Sequence, residues 1–165
     1  MDQFFDPTSW IFTKKDLERL KIGDKIGLES RESLSRWANW VKEKIAIPLY
    51  LPDYLPQGVG FPAEAMTIVA KRTVAGLRFR GGLGVNYIII KEAPALFLEE
   101  QPGEHTVIRG KRAKCHHSKG GAVDWNRDRY EVIWQEGDIF ISLYSTRLGM
   151  DELLRIANCR WVCLN

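Results

Sequence analysis

From about Ala65 to Ser145 the chain reads as a succession of short strand-like runs separated by turn signals, and this leaves little choice of fold. The runs are "AMTIVAKRT", "AGLRFRGG", "GVNYIIIKE", "ALFLEEQ", "EHTVIRG", "KRAKCHHS", "RYEVIWQ" and "DIFISLYS". Tyr130, Val132 and Trp134 alternate with Glu131, Ile133 and Gln135, the pattern of a half-buried strand. Gly137 and Asp138 make a tight turn into the next run. Neighbouring strands joined this closely pair antiparallel, because a parallel crossover needs a dozen or more residues.

The flanks follow different rules. Residues 1–47 read as helical. Thr13 and Asp16 resemble a capping box before "KKDLERLKI", and Gly23 and Gly27 break that segment. A better helix starts at Ser30, with Leu34, Trp37, Ala38, Val41 and Ile45 on one apolar stripe and Trp40 at its flank. Pro48, Pro52, Pro56 and Pro62 rule out a continuous helix next and mark a boundary between a helical extension, 1–47, and a sheet domain, 48–165. "GMDELLRIANC" predicts a helix with Asp151 and Glu152 in its first turn, where the helix dipole favours negative charge, and "RWVCLN" offers a final strand. The fold class is α+β: a curved, half-barrel-like antiparallel sheet with a packed C-terminal helix.

With 165 residues and 45% hydrophobic content, the chain can build one compact domain with a core, plus the extension. A net charge of +3 demands neither a nucleic acid nor an anionic membrane as partner. The longest apolar runs, such as "YIII", fall far short of the roughly 20 residues that span a bilayer. "MDQFFDPTSW" lacks the features of a signal peptide, so the expected compartment is the cytoplasm, or the exterior if a leader or anchor has been removed. Three cysteines cannot form a fully paired framework, and a Cys159–Cys163 bridge stays open for an exported chain.

Cys115, His116 and His117 are the first candidates for chemistry. On a strand His116 and His117 face opposite ways, so only Cys115 and His117 could share a site, with His105 as a third member. No orienting group for a Cys115–His117 nucleophile and base is apparent, and neither a metal nor another cofactor is expected. Asp124, Asn126 and Asp128 begin like a calcium loop, but Arg129 stands where glycine is needed and Gln135 where glutamate is needed. Gly81, Gly82 and Gly84 precede a strand rather than a helix, which argues for a hairpin turn over a phosphate cradle. Glu99 and Glu100 would face opposite ways on a strand and make a poor carboxylate pair. Arg109, Lys111, Arg112, Lys114 and Lys119 form the main basic cluster, followed by Trp125, a composition suited to phosphate contact and base stacking.

The order of three stretches adds a resemblance: "YLP-x-G" at Tyr54–Gly58, "VIRGKRA" at Val107–Ala113, and "WQEGDIFISLYS" running into "LGMDELLRIA" at Leu148–Ala157. This pattern resembles the small C-terminal domain of bacterial anti-sigma-factor-like and sporulation-associated proteins. It covers about residues 50–160. The resemblance implies a curved antiparallel sheet carrying a helix, similar in style to the half-barrels of lipoprotein carriers and the periplasmic regulator RseB. It implies binding or sensing rather than catalysis, and it carries no catalytic residues. Most relatives follow a transmembrane helix, and this chain shows none; the cysteines and the His pair are also outside the pattern.

The functional expectation is therefore a non-enzymatic binding or regulatory module. A protein, peptide or small hydrophobic ligand, or the N-terminal helix itself, would lie on an apolar sheet face. Trp37, Trp40, Tyr87, Trp134 and Tyr144 are the candidate contacts, and Phe79, Phe97 and Phe140 are further candidates for lining or core. The alternative is a basic surface, Arg109–Lys119, for nucleic acid or anionic lipid.

Overall fold

The structure, a computed structural model, describes residues 14–79, 85–91, 93–94, 96–120 and 128–165. The expectations for Thr13, for Gly81, Gly82 and Gly84, and for Asp124, Trp125 and Asn126 lie outside the described residues.

The chain runs α1 (Lys14–Arg19), β1 (Ile26–Leu28), α2 (Arg31–Ile45), β2 (Tyr50–Pro52), β3 (Ala63–Val69), β4 (Thr73–Phe79), β5 (Val85–Lys91), β6 (Glu104–Ile108), β7 (Lys111–Ser118), β8 (Arg129–Glu136), β9 (Ile139–Ser145), α3 (Met150–Asn158) and β10 (Trp161–Cys163). Eight strands form an open, curved, wholly antiparallel sheet in the order β1-β3-β4-β5-β9-β8-β7-β6. β2 and β10 make a separate two-stranded ribbon. No helix among the described residues is long and apolar enough to cross a membrane.

Two segments depart from the sequence reading. β1 lies in the region expected to be helical, pairing Ile26 with Ala65 and Leu28 with Ala63. The run "ALFLEEQ" is not a strand. Between Pro94 and Pro102 the described backbone closes turns, with the Glu100 amide donating to the Leu96 carbonyl and the Gln101 amide to Leu98. Phe97 and Leu98 both bury, packing on Ile133 and Phe140. Glu99 and Glu100 accordingly lie on a turn.

Cross-strand partners share a face, so the registers assign every strand residue to one of two sides. One row reads Ala65, Leu77, Tyr87, Leu143, Val132, Cys115, Glu104 from β3 to β6. This inner face is covered. α2 opens at Ser30, whose hydroxyl and backbone form a reciprocal cap with Ser33, and ends at Ala46 in the left-handed conformation. It lays Leu34, Trp37, Ala38 and Val41, all at most 1% exposed, into one core with the sheet, α3 and the ribbon. The amide of Asn165 ties these pieces together. Its Nδ2 donates to the Ala38 and Ile47 carbonyls at 2.6 and 3.2 Å, and its Oδ1 accepts from the Leu49 amide at 2.9 Å.

Because α2 shares the core, Trp37→Ala is expected to lower stability by about 3–5 kcal/mol, the usual cost of emptying a buried Trp site. Urea unfolding followed by tryptophan fluorescence and by circular dichroism should give one shared transition. Two separate transitions, or an unchanged midpoint in Trp37→Ala, would contradict a common core.

Candidate functional site

Trp37, Tyr87 and Trp134 are core residues, each at most 1% exposed, and Trp40 is buried at 7%. None of the four is presented to a partner, so these candidates are corrected to structural roles. Trp40 keeps an indole N–H with no hydrogen-bond partner among the described residues. Phe61, Phe79, Tyr87, Trp161 and Trp134 form a chain of ring contacts, including edge-on pairs of Tyr87 with Trp161 and Phe61 with Phe79, both at 5.5 Å. The Tyr87 hydroxyl donates to the Tyr50 carbonyl at 2.9 Å, and burial pushes its pKa well above the ordinary tyrosine range. The aromatics expected to line a ligand face instead seat the ribbon on the sheet.

The basic cluster is partly engaged within the fold. Arg109 and Gly110 form the β6–β7 turn with positive φ at both residues, 49° and 79°. Arg109 reaches the end of α3, donating to the Ala157 and Cys159 carbonyls at 2.6 and 3.0 Å, and it shares the Glu136 carboxylate with Lys111. Trp134 Nε1 donates to the same carboxylate at 3.1 Å. Arg112 pairs with Glu99 at 2.8 Å. Lys114 is buried at 6% exposure, its ammonium donating to the Glu99 and Gln101 carbonyls at 2.8 and 2.7 Å. Arg109, Lys111, Arg112 and Lys114 staple the helix end and the 96–101 turn, while Lys119 is exposed and its charge acts on Asp128.

Register also separates the proposed thiol–histidine cluster. His105 pairs with Lys114 and Glu104 with Cys115, so His105 faces away from Cys115 and His117. Burial, then the Glu104 charge, raises the Cys115 pKa and keeps it a thiol. His117 stacks on Tyr130 at 4.3 Å and contacts Asp128 at 2.9 Å. Among the described residues no group of three or more ligand-type side chains is placed to hold a metal ion. Cys115, Cys159 and Cys163 are all unbridged.

What remains is the outer face, which no helix covers among the elements packed in the main core. Its rows are banded. Ile68, Val74, Ile90 and Phe140 form an apolar row; Met66, Gly76, Ile88, Ser142, Ile133 and Lys114 follow; Glu64, Arg78, Asn86, Tyr144 and Glu131 form a polar row. Towards β8 the apolar band is capped by Phe97 and Leu98. Towards β3 it opens into a hollow of ≈ 250 Å³ bordered by Met66, Ile68, Val74 and Ile88, with Lys25, Glu64, Arg78, Asn86 and Tyr144 also lining it. Gly76 contributes no side chain to its floor. Tyr144, half-buried, is the one candidate contact that faces this side, with the Arg129 guanidinium 3.9 Å above its ring. The glycine inside the β4 pattern was the available sequence signal for the hollow, since an isolated strand glycine marks a place left open for close approach.

Around His117 the geometry gives a pH dependence. The Gly120 amide donates to Asp128 Oδ1 at 2.7 Å, and this bond, followed by His117, lowers the Asp128 pKa. A depressed carboxyl stabilises above its unfolded value, about 3.9, and loses that contribution as pH falls through the lower folded value. Protection of the Gly120 amide from exchange should therefore fall in this acid range and be absent at neutral pH in Asp128→Ala, which removes the acceptor; protection equal in both proteins would contradict the assignment. No family model, curated protein or solved structure matches this chain.

Proposed function

We propose that this protein is a non-enzymatic binding module that receives apolar side chains of a partner protein on the outer face of its sheet. The observation that carries this reading is the hollow around Gly76, an apolar area that no described residue caps, on a sheet whose other face is packed by α2 and α3. Ile68, at the margin of the hollow on this face, is 42% exposed. Clustered exposed apolar side chains rimmed by polar residues mark interaction sites.

Size favours a partner's side chains over an enclosed small molecule. Drug-sized ligands occupy sites of about 300–1,000 Å³ that bury most of their surface. A half-open hollow of ≈ 250 Å³ suits one or two inserted side chains. The raised Cys115 thiol and the separation of His105 weigh against nucleophilic or metal chemistry at β7. The resemblance to anti-sigma-factor-like C-terminal domains points to the same class of activity, holding or sensing a partner.

An anilinonaphthalene dye tests the site directly. The native protein should bind it with enhanced fluorescence, and Gly76→Leu should reduce that binding about tenfold, equivalent to about 1.4 kcal/mol. An added Cβ at Gly76 meets only the Met66 carbonyl oxygen at 3.9 Å, so the variant should melt no lower than the parent. Dye binding that Gly76→Leu leaves unchanged, or no binding at all, would overturn the reading.

A further inference from the structure

β1 and β3 do not match in length. β1 pairs only with Ala63, Glu64 and Ala65, whereas β3 continues to Val69. Just before β1 the chain turns, with Gly23 at φ 98° and the Asp24 amide donating to the Lys21 carbonyl at 3.1 Å. Among the described residues, no strand therefore pairs with Met66–Val69 on the side away from β4. At a rise of about 3.4 Å per residue, this is roughly 13 Å of open main-chain edge.

Proteins usually protect such an edge with charge, proline, a bulge or a covering loop. The opposite margin of the sheet carries Glu104 and His105. Along β3 the side chains are Met66, Thr67, Ile68 and Val69, and the exposed ones are the aliphatic pair. The edge also adjoins the hollow, because Met66 and Ile68 line it. Charge selects the occupant. Lys71 and Arg72 follow the edge in the β3–β4 turn, and Arg78 stands at the far side of the hollow opposite Glu64. Lys71 and Arg72 thus flank one end of the apolar strip, and at the other Lys25 and Arg78 outnumber Glu64, which borders the same hollow.

We propose that Met66–Val69 accepts an extended segment of a partner protein as an added strand, antiparallel to β3 and in line with β1. Its apolar side chains alternate with polar ones, and it carries acidic residues at its ends. Main-chain hydrogen bonds supply affinity, and every second side chain enters the hollow beside Gly76 to supply selectivity. The acidic ends meet Lys71 and Arg72 on one side and Arg78 on the other. This rests on the outer-face reading and adds the backbone pairing and the charge of the partner.

The experiment uses the full chain and a short synthetic peptide alternating valine and threonine between aspartates. Fluorescence anisotropy should show saturable binding that weakens about tenfold or more when alternate peptide amides are N-methylated, a loss equivalent to at least one hydrogen bond. Lysine in place of the terminal aspartates should also weaken binding, and Gly76→Leu should do so without lowering the melting temperature. Equal affinity for the N-methylated peptides, with either set of alternate amides modified, would overturn strand addition. So would absence of peptide binding while the dye still occupies the hollow, which leaves the parent reading standing; loss of dye binding would remove both. A concentration-dependent dimer in sedimentation, abolished by Ile68→Lys, would assign the edge to a second copy of this chain and overturn the hetero-partner.

Discussion

The architecture depends on how the inner face of the sheet is covered. An eight-stranded open sheet exposes two faces, and the helices among the described residues that share its main core, α2 and α3, pack on one of them. α2 supplies Leu34, Trp37, Ala38 and Val41; α3 supplies Leu153, Ile156 and Ala157; the ribbon brings Trp161 against Tyr87 and Trp134. Burial of these large rings dominates the favourable side of folding. The aromatic-rich surface is already occupied by the chain itself, and the opposite face carries an aliphatic band that, among the described residues, is roofed in part by Phe97 and Leu98.

The stretches that suggested a family converge in space. Tyr54 of "YLPQG" donates to Glu152 of α3 at 2.5 Å and lies under Arg155. Arg109 of "VIRGKRA" satisfies carbonyls at the end of the same helix, where backbone acceptors otherwise lack partners. Trp134 and Glu136 of "WQEG" close the arrangement by binding Arg109 and Lys111 from below. These residues share one structural task, holding α3 and the ribbon to the sheet. They describe how the domain is assembled and leave its ligand unspecified. Glu136, with Arg109 and Lys111 both on its carboxylate, gives part of this run of cations a structural task within the fold.

Most of the fold was legible because strands advertise themselves by alternation and punctuation. β3, β4, β5, β6, β7, β8 and β9, together with α2 and α3, fall where hydrophobic period and turn residues put them. β1 was not legible: "IGL" is too short to show a period, and its glycine resembled a helix break. "ALFLEEQ" contained enough apolar residues for a strand, and only tertiary packing of Phe97 and Leu98 on Phe140 and Ile133 decides for turns. The site was harder still. Whether His105 joins Cys115 depends on a one-residue difference in register, which inverts the face of every side chain. That Trp37 fills a core instead of facing a partner depends on which sheet face α2 meets. Gly76 was present in the sequence as an interrupted strand pattern, but its meaning required knowing that it stands between Met66 and Ile88 on the uncovered side.

An amide NMR shift map of the full chain, titrated with the aspartate-ended peptide, distinguishes a receptive outer face from any other. The account predicts shifts concentrated at Met66, Ile68, Val74, Gly76 and Ile88, with Trp37, Trp134 and the Arg109–Lys119 hairpin unchanged. Shifts confined to that hairpin, or centred on the α2-covered face, would contradict it.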